Sequence, residues 1–488
     1  MPTKGILVLT PEGFQFFVFM PPTSNLASLP LRFFSPALDL LPGCLHQRLC
    51  PELSDSDWVR LGVQRCLAPQ SSGRGFLQTL ASLAPSLCPD NSHFFESLKS
   101  QRRLDLCAEL NAKLCVHARR VLPDALAAFP CLAGFDIHAG DGHYHAHAVH
   151  DPADSKGNKH PVGHLYARNL RYGTLSHLTV NDQVTRKKEH DMRGLKRQTI
   201  DTLRQGAKKG RKVLYVWERA GIDFNQWHDW KQGSGIYMLS RCKANMALVK
   251  CGDLPFERGD AINAGIQSDE LVGSGKAGVL LRRVIFIDVL TGITYEYLTN
   301  LLQSSVPPGV IAHLYKMRWD IEKSFDEVKN KLGEKKAWAS SATAKSMQAQ
   351  FICLSVNLLQ LIEDEIGKEG IVNQPEVKRR AARLEAAQEQ AASQNAVLPK
   401  TLVMMQQMTQ HSVKLIRWVA AQLWLNVPWK AACEVLIALY SKLYGPSIGR
   451  HCKHRNLWDS IRLISTPNYT SPALDTIVNT ATYGIASA

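Results

Sequence analysis

The stretch HLYKMRWDIEKSFDEVKNKLGEKKAW, His313 to Trp338, places Tyr315, Arg318, Glu322 and Lys329 at successive gaps of three, four and seven residues. On a helix turning about 100° per residue, the four fall within a sector of roughly 60°. The spacing therefore predicts a helix with all four on one face. Leu314, Met317, Ile321, Phe325, Val328 and Leu332 form an apolar stripe about 80° wide directly beside them. A carboxylate held at the edge of a core with cations close by is the setting of a metal ligand next to a polyanion. A mixed-charge surface helix, its cations paired with Asp326 or Glu327, would use the same residues without chemistry.

Upstream of this helix the pattern is that of strands. Residues 131–137 (CLAGFDI) lead into Ala139 and Asp141-Gly142, so Ile137, Ala139 and Asp141 share one face of a strand that ends in a carboxylate before a glycine turn. Two more strands are expected across VGHLYARNLRYGTLSHLTV, with Tyr172-Gly173 as the turn. The continuous apolar run VLYVW, Val213 to Trp217, reads as the buried centre of a sheet and ends in Glu218. Further strands fill the 104 residues between Glu218 and Glu322, which implies a β-rich insertion over about residues 235–310 before the helix. Two strand acids and one helix acid make a set able to flank two Mg²⁺ or Mn²⁺ ions about 3.5–4 Å apart in phosphoryl transfer.

The pattern Tyr315, Arg318, Glu322, Lys329 closely resembles the signature of the insertion-sequence-four family of DDE transposases. AWASSATAKSMQAQFICLSVNLLQLI after it, GHYHAHA after Asp141, WERAGIDFNQW around Glu218 and EYLTN before the helix are similar to that family as well. The resemblance covers roughly half the chain. It implies an α/β, RNase H-like mixed sheet flanked by helices over residues 126–365. It also implies Asp141, Glu218 and Glu322 as catalytic metal ligands, with Tyr315, Arg318 and Lys329 on DNA. The partners it implies are double-stranded transposon ends and target DNA, bound by a homodimer in a prokaryotic cytoplasm, associated with the nucleoid. One position departs from the pattern. The family's second acid is an aspartate, whereas Glu218 precedes Arg219 here; the extra methylene moves the carboxylate by about 1.5 Å. A catalytically impaired, DNA-binding descendant is the alternative, with Asp223 and Asp136 as outside candidates for the second and first acid.

The remainder of the chain sets the context. Over 488 residues a formal charge of +15 favours a polyanionic partner. No uninterrupted apolar run of roughly 18 residues suggests a membrane span. Twelve cysteines without a CxxC pair read as reduced thiols. Residues 1–125 are expected to be mostly helical, Ser92 a helix cap, and to bind DNA ends through Lys99, Arg102, Arg103, Lys113, Arg119 and Arg120. A basic helix is expected over 188–206 and helices over 366–488, including one from 413 to 444, as a dimerisation region. His143, His145 and His147 alternate along one strand and raise a rival reading, a zinc hydrolase.

Overall fold

The computed structural model describes residues 6–10, 13–17, 28–50, 52–68, 72–145, 157, 162–181, 189–274, 278–302, 304–332, 337–404, 411–425 and 427–442. The chain opens with an antiparallel pair, β1 (Ile6–Thr10) and β2 (Gly13–Phe17). Five helices follow: α1 (Leu29–Leu38), α2 (Asp55–Leu67), α3 (Gly73–Leu83), α4 (Asn91–Ser97) and α5 (Gln101–Val121). Ser92 lies inside α4, which begins after Asp90, and the next helix starts at a true serine cap, Ser100, whose hydroxyl accepts the Arg103 N–H.

The central sheet then forms from β3 (Phe135–His145), β4 (Val162–Asn169), β5 (Leu175–Asn181), β6 (Lys212–Trp217) and β7 (Ile236–Arg241). Their order is β5-β4-β3-β6-β7, with β3, β6 and β7 parallel, β4 antiparallel to β3, and β5 antiparallel to β4. This is the RNase H-like arrangement. The turn after β4 falls at Tyr172-Gly173, where Gly173 takes a left-handed φ of 70°. The expected basic helix is instead two short ones, α6 (Asp191–Lys196) and α7 (Ile200–Arg204), which cover one face of the sheet with α8 (Phe224–Ser234).

The insertion does not fold apart from the sheet. Strands β8 (Leu248–Asp253), β9 (Ile266–Ser274), β10 (Leu280–Ile287) and β11 (Thr294–Thr299) extend it to nine strands through antiparallel pairing of β11 on β7. Its interior holds a closed ion pair: Arg282 donates to Asp269 from Nε at 2.8 Å and from a terminal nitrogen at 2.6 Å, both side chains buried.

Period-two alternation sorts the sheet's side chains into two cores. Ile137, Ala139, Leu214, Val216 and Leu239 face the large core, whereas Val213, Tyr215, Trp217, Ile236 and Met238 face α6 to α8. Over the large core lie α9 (Pro308–Met317), α10 (Trp319–Asn330) and α11 (Ala342–Lys368). The same core takes in Phe33, Trp58 and Leu110 from the N-terminal helices and Trp418 and Leu436 from later ones. These later helices are α12 (Gln374–Ser393), α13 (Lys400–Met404), α14 (Val413–Leu425) and α15 (Trp429–Lys442). The single helix expected from 413 is split near Pro428, whose missing N–H and ring favour a break. Among the described residues no helix is long and apolar enough to cross a membrane.

Candidate active site

Two strands and a helix turn build the site. In the parallel pair β3/β6 the last matched residues are Gly140 and Trp217, so Asp141 and Glu218 are the next residue on each strand. Asp141 is not at a strand end, as the sequence suggested: β3 continues through it to His145, paired with β4. The parallel neighbour stops there instead, which opens the sheet beside Asp141. Ile137 and Ala139 are fully buried in the large core, and parity puts Asp141 on their face. The flanking glycines make room. A Cβ on Gly140 would stand 1.9 Å from the Trp217 ring, and one on Gly142 would stand 2.7 Å from Tyr144 and 3.1 Å from Asp191.

The helix carrying Glu322 starts at Pro308 and is tightened at one turn. Arg318 N–H bonds to the Tyr315 carbonyl and Ile321 N–H to the Arg318 carbonyl, both at 3.1 Å. These are i→i+3 bonds, so the single helix expected from His313 to Trp338 is α9 and α10 joined at Arg318, and α10 ends at Asn330. The apolar stripe is otherwise as read: Leu314, Met317, Ile321, Val328 and Leu332 are all buried and Phe325 packs on the core. On its far side α10 is fixed by buried polar contacts. Arg168 of β4 donates to Ser324, and His411 bonds Glu327 at 2.5 Å. Burial works against the Glu327 charge, but His411 and Arg168 together hold its pKa below the ordinary value.

Arg318 joins the acids. One terminal nitrogen lies 3.4 Å from Asp141 Oδ2 and the other 2.7 Å from Glu322 Oε1, and the residue is only 5 % exposed. Burial pushes the Asp141 carboxyl up to about 7, and the negative charges of Glu218 and Asp191 add to it, against the Gly142 N–H and Arg318, which favour the charged form. Glu218 is exposed. Tyr315 is buried against Tyr297, ring centroids 4.9 Å apart, and lies beside the Arg318 guanidinium, 5.7 Å from its ring. Lys329, by contrast, is exposed near the far end of α10 and away from the acids.

Hard carboxylate oxygens around a site where burial and like charge disfavour ionisation fit a divalent cation. As they stand, no three His, Cys, Asp or Glu side chains among the described residues converge on one point; the Arg318 guanidinium lies between two of the acids. The outside candidates are engaged elsewhere. Asp223 caps α8 through the Gln226 N–H at 3.1 Å and pairs with Lys196 at 2.6 Å. Asp136 is buried on the opposite strand face with Arg211 and Arg119. Of the histidines that raise the zinc reading, only His143 has a described side chain, and it packs on Phe325. The side chain of His145, and His147 altogether, lie outside the described residues.

Three residues near the site were not singled out from sequence. Asp191, which accepts the Tyr144 hydroxyl at 2.7 Å, sits in a segment whose obvious feature is its positive charge. Tyr144 fills the space left by Gly142 and Gly163. Trp319 follows Arg318 and is 54 % exposed, with the guanidinium 5.5 Å from its ring. A surface indole beside the acids offers a base a face to stack on. Tyr297 by contrast is buried, and Tyr295 is partly covered, with Arg241 over its ring.

No curated protein shows a significant match to the chain. Residues 121–358, which hold the RNase H-like strands, the paired strand acids and the Tyr315–Glu322 turn, match the family model of the transposase DDE domain, and that match supports a DDE transposase.

Proposed function

We propose that the protein cleaves DNA at the ends of an insertion sequence and joins the freed 3′-hydroxyl to target DNA, with Asp141, Glu218 and Glu322 as the catalytic carboxylates. The observation that carries this is the β3/β6 register, which sets Asp141 and Glu218 one residue beyond the last matched pair, together with the single arginine that ties Asp141 to Glu322. The three carboxylates would hold two Mg²⁺ or Mn²⁺ ions, whose chemistry in such a site is charge stabilisation at the attacking and leaving oxygens. Arg318 and Lys329 would pair with phosphates, whereas Tyr315, expected on DNA, is buried and would instead orient Arg318. The extra length of Glu218 has room, because its side chain is exposed at the strand end.

The Tyr-Arg-Glu-Lys spacing supports placement in the insertion-sequence-four family, acting as a homodimer on the DNA of a prokaryotic nucleoid. In this reading residues 366–488 carry dimer contacts and residues 1–125 approach the DNA ends. Most of the N-terminal cations already have partners: Arg102 holds Asp55, Arg103 donates to the Leu53 carbonyl, Lys99 and Lys113 pair with Glu96 and Glu109, and Arg119 with Asp136. Exposed Arg120 has none among the described residues. The end contact thus rests on fewer side chains than the charge count suggests. Glu322→Gln is expected to lower Mg²⁺-dependent cleavage of the element's own ends by about 10³-fold; unchanged cleavage would remove Glu322 from the site.

A further inference from the structure

We infer that Arg318 is an exchangeable counter-cation. Its guanidinium keeps the place between Asp141 and Glu322 in the metal-free protein, and it must leave that place when a divalent ion enters. The inference rests on the reading of these acids as the metal site. It goes further, because it assigns the arginine two alternating partners and so couples metal loading to DNA.

The geometry is that of a half-made contact. A guanidinium offers five N–H donors in a rigid fork, and a settled carboxylate pair uses two of them at about 2.7–2.9 Å. Arg282 does so with Asp269. Arg318 instead divides its fork between two acids, one contact at 2.7 Å and one at 3.4 Å, and its buried Nε has no partner among the described residues. Burial opposes the Arg318 charge, and its neighbours Tyr315, Glu322 and Asp141 outweigh that cost, so the guanidinium keeps its place only while those charges face it. The two carboxylates share this cation: Arg318 pairs with both Asp141 and Glu322.

A divalent cation held by Asp141 and Glu322 would draw on the carboxylate oxygens that Arg318 now touches, and like charge would oppose having both there. The exit is built from rings. Tyr315 and Trp319 flank the guanidinium at 5.7 and 5.5 Å, and Trp319 reaches the surface at 54 % exposure. A cation sliding along an indole face keeps part of its stabilisation on the way out. A DNA phosphate at the mouth of the site then receives it, so phosphate and metal favour each other's binding reciprocally.

The test is calorimetric titration of Mn²⁺ into the DNA-free full-length protein, which reads binding and not turnover. Arg318→Gln is expected to bind Mn²⁺ about tenfold tighter than the wild type, the low end of measured couplings between close charges. Arg318→Lys keeps a cation for folding but lacks the fork, and is expected to fall between the two. Unchanged or weaker binding in both folded variants would overturn the exchange, because an arginine that merely positions the acids would weaken the site when removed. Glu322→Gln separates this from the underlying reading. If it weakens Mn²⁺ binding while Arg318→Gln and Arg318→Lys do not tighten it, the acids are the metal site and only the exchange fails. If it leaves binding unchanged, the site reading falls and the exchange with it.

Discussion

Two buried arginines in one sheet-and-helix assembly do opposite things. Arg282, fully buried in the extended sheet, closes both prongs on Asp269. Arg318, 5 % exposed, shares its prongs between Asp141 and Glu322 and leaves Nε over. The first pair lies on adjacent strands, where the antiparallel register fixes the distance between the two side chains. The second spans a strand, a helix turn and 177 residues of chain, and no regular ladder sets its spacing. Closed pairs keep a fold specific, whereas an open one leaves charge that a ligand can take over.

The largest effect expected from breaking this contrast is on the closed side. Asp269→Ala takes the carboxylate away from a buried guanidinium and is expected to cost about 3–5 kcal/mol of stability in urea denaturation, whereas replacing Arg282 and Asp269 together by leucines should be nearly neutral. A small cost for the single change would mean that Arg282 finds water, and that the two arginines differ less than their geometry indicates.

On the open side, Glu218→Asp draws a carboxylate back by about 1.5 Å just past the last rung of the β3/β6 ladder. Cleavage kinetics in Mg²⁺ are expected to slow by about 10² if the site is matched to glutamate. Faster cleavage would show the wild type to be impaired and the longer acid to be a loss. Trp319→Ala removes the exposed ring beside the guanidinium. It is expected to weaken binding of single-stranded or frayed DNA ends by about 1–3 kcal/mol in fluorescence anisotropy, with little change for an intact duplex. Equal weakening of both would assign the ring to backbone packing instead.

The same contrast explains what the sequence could tell. Strand parity placed Ile137, Ala139 and Asp141 on one face, and the apolar run Val213 to Trp217 marked the sheet centre. The helical stripe from Leu314 to Leu332 marked which side of the helix is buried. These are periodicities, and periodicity survives translation into structure. What it does not encode is the partner across the fold. Arg318 and Glu322 are neighbours on the wheel, but nothing in their spacing said that Asp141 would meet them. Asp191 arrives beside Gly142 because a short helix packs under the sheet, and the surrounding run of basic residues gave no hint of it. The tightened turn at Arg318 and the split near Pro428 depend on where the chain packs, and the insertion continued the sheet because β11 found the free edge of β7.

Lys329 gives the smallest and cleanest test, because it belongs to the helix pattern but to neither kind of buried pair. It is exposed two turns beyond Glu322, in the last turn of α10. A lysine there can touch a phosphate only as a point charge, without sequence information and without desolvation. Lys329→Ala should therefore weaken duplex binding uniformly across sequences and make the slope of log affinity against log salt shallower by about 0.9, the value for one phosphate contact. Arg318→Gln, by comparison, removes a cation that starts between two acids. Its effect on the salt slope should appear only when a divalent ion such as Ca²⁺ is present to occupy the acids. If both variants change the slope equally without a divalent ion, Arg318 already faces DNA in the metal-free protein, and the distinction between an open pair and a surface cation disappears.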